Sequence, residues 1–191
     1  MDIISERIQQ SIETKKRILS DEHLLSEIND VAQNCAETLC QGNRIYFCGN
    51  GGSAADAQHL AAELSGRYLY DRPPLPAEAL HVNTSYLTAV ANDYSYDEVY
   101  SRLLQGIGHS GDVLIAISTS GNSGNILRAI ETAQDLGMII VGMTGRSGGK
   151  MKNVCDFLLN VPSDETPRIQ ESHIMIGHII CEIIESTIFP R

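Results

Sequence analysis

Residues 44–64 constrain this chain more than any other stretch. They read RIYFCGNGGSAADAQHLAAEL. Arg44 to Cys48 is a short apolar run of strand type, a glycine turn follows, and from Ser53 onward Ala, Leu, Gln and Glu favour helix. Strand, turn and helix in that order open an α/β crossover unit. The order returns further on. Gly111 to Ile117 is a continuous aliphatic run, Ser118 to Ser123 a polar turn, and 124–136 a helix that Gly137 stops. Ala77–Val82, Met138–Met143 and Phe157–Val161 read as further strands, and Thr166–Ile188 as a long helix with Pro167 in its first turn. The alternation predicts right-handed crossovers and a three-layer α/β/α sandwich on a parallel sheet of about five strands.

Between these units, the proline-broken segment 67–76 is a loop. Tyr86–Ala91 is a short helix ending in the polar turn Asn92-Asp93, and Tyr96–Ile107 is another helix. The first 40 residues precede any strand. Ile3, Ile4, Ile8, Ile12 and Ile18 form one irregular helical stripe. Asp21 then caps a second helix with Leu24, Ile28, Val31, Cys35 and Leu39 on one side. Helices placed there cannot all be crossover helices, so their stripes point to packing against another copy of the chain. The organisation is one domain over residues 1–191, with helices over 1–40 and the sandwich over 41–191.

Charge and cysteine content exclude several function classes. Lys plus Arg is 14 against 24 Asp plus Glu, a net charge of −10, so a basic footprint for nucleic acid is absent. Five cysteines without CxxC spacing fit reduced thiols in a cytoplasm, not a disulfide framework or zinc knuckle. The N-terminus lacks a signal-peptide pattern. The most apolar region is broken by His173, His178, Glu182 and Glu185, so no membrane span is expected.

Two turns carry the chemistry. Gly49, Gly51 and Gly52 let backbone N–H groups approach a ligand where a helix begins, which favours an anion. The turn is neither GxGxxG nor GxxxxGK[ST], and no Lys stands there for a nucleotide. On the helix, His59 and Glu63 are four residues apart and share a face; such a pair alone is commonly a surface hydrogen bond. Ser118, Thr119, Ser120 and Ser123 put four hydroxyls before a second helix, where capping needs only one. Both turns fall at strand carboxyl ends, where open α/β sheets bind ligands, so they can share one small molecule with Asn92 and Asp93.

GNGGSAADAQHLAAELSGRY, AND at 91–93, ISTSGNS at 117–123, TG with GGK at 144–150 and RIQESH at 168–173 together resemble the sugar isomerase (SIS) domain family. More narrowly, they resemble its phosphoheptose isomerases, over about residues 20–189. The resemblance implies conversion of sedoheptulose 7-phosphate to D-glycero-D-manno-heptose 7-phosphate through an enediol, for lipopolysaccharide or other bacterial glycans. It also implies a homotetramer and a divalent metal, zinc. It puts metal ligands at His59, Glu63, Gln170 and His178, and the acid/base pair at Glu63 and His178. Sugar and phosphate contacts fall on Asn50, Gly51, Gly52, Ser53, Glu63, Asn92, Asp93, Ser118, Thr119, Ser120, Ser123 and Gln170.

Helix geometry bears on that ligand set. Gln170 and His178 are separated by ~12 Å of rise and ~80° of rotation on one α-helix, too far for a single ion. Either His178 reaches a site in a neighbouring protomer, or the helix begins irregularly around Gln170. His178 also reads as a histidine satisfied within a packed helix. His173, ~140° round from His178, is structural, and His81 and His109 receive no role. The hydroxyl turn is the better phosphate holder, which leaves the glycine turn to the sugar end near His59 and Glu63. Two other readings stay open: a non-catalytic SIS-domain protein that binds a partner, and an isomerase of another sugar phosphate. The first is expected to lack the His/Glu pair and the late His; the second would differ in pocket length.

Overall fold

A computed structural model describes residues 2–191. The element order is α1 (Ile3–Leu19), α2 (Glu22–Cys40), β1 (Ile45–Gly49), α3 (Gly52–Ser65), β2 (Ala77–Ala79), α4 (Thr84–Asp93), α5 (Val99–Ile107), β3 (Val113–Ile117), α6 (Gly124–Leu136), β4 (Ile139–Thr144), β5 (Phe157–Asn160) and α7 (Thr166–Ile188). All strand pairs are parallel, in the order β2-β1-β3-β4-β5. This is the doubly wound order whose switch point lies between β1 and β3. The register runs Ile45 opposite Val113 through Gly49 opposite Ile117, so both chemical turns leave the sheet side by side.

Every residue of β1 and β3 is buried, as strands covered on both faces must be. Alternate residues divide between two cores. Ile45, Phe47, Val113, Ile115 and Ile117 pack with α2, α3 and α7. Tyr46, Cys48, Leu114 and Ala116 pack on the opposite face with residues of α4, α5 and α6.

The N-terminal helices differ from each other. Leu24, Ile28, Val31, Cys35 and Leu39 of α2 are buried in the chain's own core, so that stripe is intramolecular, contrary to the expectation for both helices. On α1, Ile3, Ile4, Ile8 and Ile12 remain exposed, while Ile18 is buried. Several boundaries also differ. β2 stops at Ala79 instead of Val82. α4 begins at Thr84, because the Asn83 side chain accepts from Tyr86 N, and runs to Asp93, so Asn92 and Asp93 form its last turn and not a loop. Among the described residues, no helix is long and apolar enough to cross a membrane.

Candidate active site

At the switch point the glycine turn is held from several directions. Gly51, at φ 56°, takes the N-cap position of α3, and no side chain caps that helix. Tyr100 donates to the Gly49 carbonyl. Asn50 and Asn125 exchange two amide hydrogen bonds, each 2.8 Å, and Tyr96 Oη donates to Asn50 Oδ1 at 3.3 Å. Asn125, buried in the first turn of α6, therefore bolts the glycine turn to the helix that follows the hydroxyl turn. Nothing in its sequence setting singles it out from an ordinary polar residue near a helix start.

In the hydroxyl turn, Ser118 is buried and its Oγ lies 3.1 Å from Ser123 Oγ. Ser123 occupies the N-cap of α6 without a side-chain capping bond, so the hydroxyls are not engaged in capping. That leaves the N–H groups at the start of α6 without a side-chain cap beside the Ser118 and Ser123 hydroxyls, an arrangement suited to an anion. The turn is braced from behind: Gly145 N donates to Thr119 O at 3.0 Å, and Lys150 N to Gly121 O at 3.0 Å. A side chain on Gly121 would collide with the Gly148 carbonyl, so only glycine lets the two loops meet. Ser120 is exposed and Thr119 half-buried. Asn92 Nδ2 donates to Asp93 Oδ1 at 2.8 Å; that bond links the two residues to each other and leaves both exposed.

α3 and α7 lie side by side and run the same way. Gln170 faces Gly52, Gly177 faces Leu60, and His178 faces His59. A Cβ on Gly52 would stand 2.5 Å from Gln170 Nε2, so the glycine admits that amide to the start of α3, next to buried Ser53. Two turns along, His59 Nε2 lies 3.0 Å from Glu63 Oε1 and 3.1 Å from His178 Nε2. Ligand atoms of the three residues all lie within 4.8 Å of one another. His59 Nε2 carries at most one proton, yet two acceptor-capable atoms face it. Three converging lone-pair donors of N, N and O type could together hold a metal ion. Asp56, one turn before His59, is half-buried; burial pushes its carboxyl up, with His59 opposing.

The spacing argument on α7 holds in part. The helix is unbroken through Gln170 and His178, so an irregular start is excluded. His178 nevertheless meets His59 within one chain, without a neighbouring protomer. Gln170 stands where its amide lies against Gly52, and one chain brings the ligand atoms of His59, Glu63 and His178 together. His173 is fully buried, with Nε2–H donating to the Thr144 carbonyl at 3.1 Å, the structural role expected.

A parallel 2-1-3-4-5 sheet with a glycine turn and a hydroxyl turn side by side at its switch point defines a doubly wound α/β domain. A sequence profile described as the SIS domain matches residues 8–145. The phosphoheptose isomerase of Aneurinibacillus thermoaerophilus is 55% identical over 188 residues, covering 98% of this chain and 95% of that protein. Among solved structures, the phosphoheptose isomerase of Francisella tularensis superposes with a TM-score of 0.92 at 38% identity, covering 97% of each chain. That of Neisseria gonorrhoeae gives 0.89 at 41% identity, covering 96% of this chain and 97% of the other. The chain belongs to the SIS-domain family, among its phosphoheptose isomerases.

Proposed function

We propose that the protein interconverts sedoheptulose 7-phosphate and D-glycero-D-manno-heptose 7-phosphate through an enediol. The observation that carries the reading is the convergence of His178, from α7, with His59 and Glu63 on α3, the helix that starts at the glycine turn. The 7-phosphate is assigned to Ser118, Thr119, Ser120 and Ser123 at the start of α6. The sugar end is assigned to Asn50, Gly51, Gly52, Ser53 and Gln170, with Asn92 and Asp93 at the rim.

An aldose–ketose exchange moves one proton between C1 and C2 and a second between the two oxygens. Glu63 faces His59 through Oε1. Its Oε2 is assigned to take the C1 proton and return it to C2. His178 is assigned to carry the proton from O1 to O2 on Nδ1, the ring nitrogen that does not face His59. His59, Glu63 and His178 would hold a zinc ion, and the metal would supply Lewis-acid polarisation of the carbonyl. Gln170, whose amide lies at Gly52, is assigned to the sugar and as a further ligand to this ion. The exposed isoleucines of α1 support a homotetramer, covering that face with a second copy. Five unpaired cysteines fit a cytoplasmic setting.

The test is to incubate purified protein with sedoheptulose 7-phosphate and follow aldose formation, with and without chelator. Turnover that chelation removes and zinc restores is expected. An absence of turnover under all conditions refutes the enzyme reading.

A further inference from the structure

The segment after α3 holds a buried ion pair whose contacts end on the two helices of the cluster. The side chains of Arg72 and Glu185 are each 1% exposed, and Arg72 Nε donates to Glu185 Oε1 at 3.0 Å. The remaining guanidinium donors reach backbone carbonyls. Nη2 donates to Glu63 O at 2.8 Å, and Nη1 to Leu64 O at 2.7 Å and to Gly66 O and Pro73 O at 3.1 Å. Glu63 and Leu64 close α3, where orphan carbonyls form the negative end of the helix dipole.

Glu185 projects from α7 about two turns beyond His178. Both of its oxygens are engaged, Oε1 also accepting from Tyr68 N at 3.0 Å and Oε2 from Leu69 N at 2.8 Å. Those bonds lay the Tyr68 ring against His178, with centroids 5.6 Å apart and planes at 30°. The pair therefore ties the end of the helix carrying His59 and Glu63 to the helix carrying His178. Stability alone does not explain a charged pair here, because well-packed apolar groups of similar volume often do as well. A guanidinium and a carboxylate can instead satisfy several backbone carbonyls and two N–H groups at fixed directions.

We propose that Arg72 and Glu185 are positioning residues for the reaction: they set α3 against α7 so that His59, Glu63 and His178 converge, without touching substrate. The inference rests on the isomerase reading above. Arg72→Lys keeps the charge but loses the planar fork, and Glu185→Gln keeps the shape while removing the charge.

The two variants and their double are compared with the wild type at room temperature, after circular dichroism establishes which are folded. Each single variant is expected to lose kcat about ten- to a hundred-fold, as a displacement near 1 Å in a reacting constellation does. KM should change by less than about two-fold, because substrate contacts remain. The double variant should lose no more than the worse single, since the two act as a unit. Cobalt(II) titration reads the convergence directly, and its affinity should fall about ten-fold or more in each variant. Glu185→Gln keeps the test intact if Arg72→Lys does not fold. Variants that melt earlier but retain wild-type kcat and cobalt affinity overturn the proposal. A wild type inert towards sedoheptulose 7-phosphate would instead refute the isomerase reading, and cobalt affinity would still decide this one.

Discussion

Replacing Asn125 with Ala tests whether the two turns are coupled through one buried amide. Asn125 is 2% exposed and exchanges two 2.8 Å hydrogen bonds with Asn50. At roughly 1 kcal/mol net for each intramolecular bond, the substitution should cost about 2 kcal/mol. Asn50 is only half-buried, so its freed amide recovers water on one side and the loss does not climb further. In a domain of this size that corresponds to a fall in Tm of about 4–8 °C, readable by circular dichroism. Function should fail in a particular way: with Asn50 loosened, KM for sedoheptulose 7-phosphate rises several-fold while kcat changes less. Asn125→Asp should be worse for KM, because it sets a carboxylate oxygen against Asn50 Oδ1 where a donor now stands. A stability change below about 0.5 kcal/mol with unaltered KM would refute the reasoning, since that is the scatter of an uninvolved surface substitution.

The buried titratable groups and the crowded glycine give further expectations. Burial pushes the His173 imidazole down from 6.5 to about 4, its bond to the Thr144 carbonyl only partly opposing this. Between those values the unfolded chain holds a proton that the folded chain lacks, so stability should rise with pH across that window and level above it, by up to roughly 3 kcal/mol. Urea melts of His173→Gln should lack that limb. Burial alone would push the Glu185 carboxyl up, but the Leu69 and Tyr68 N–H groups and Arg72 outweigh it and hold it below 4.5. Its stabilisation is therefore complete above that pH and is lost on further acidification, a limb that Glu185→Gln should lack. Gly52→Ala should displace the Gln170 amide and raise KM several-fold with little change in melting, because the group that must move is the end of a flexible side chain.

The layers were legible in the sequence because fully buried parallel strands leave continuous aliphatic runs, and Gly111–Ile117 is one. Boundaries were less so. Ala77–Val82 reads as one strand between a proline-rich loop and a cap, yet β2 pairs with β1 over only three residues before the chain turns towards the Asn83 cap. For α2, the stripe was legible but its partner was not, since a helix preceding the sheet can cover its own sheet or a neighbour's. The same limit applies at the site. Gln170 and His178 stand eight positions apart on α7, and Gln170 meets the start of α3 while His178 meets its middle. Which of them joins His59 depends on how two helices remote in sequence slide against each other, and spacing within one helix does not contain that. Arg72 and Glu185 did leave a trace: a carboxylate among Cys181, Ile184 and Ile188 on an apolar helix needs a buried partner. Asn125 left none.

The proposed reaction requires Glu63 to move the proton at the reacting carbon. Glu63→Gln keeps the shape of the side chain and an oxygen towards His59, so the fold should be unchanged. The direct measurement is exchange of the C1 hydrogens of sedoheptulose 7-phosphate in deuterated water, followed by proton NMR alongside aldose formation. Exchange and turnover are expected with the wild type and neither with the variant, which should still bind the sugar phosphate. Exchange at the wild-type rate in Glu63→Gln would contradict it.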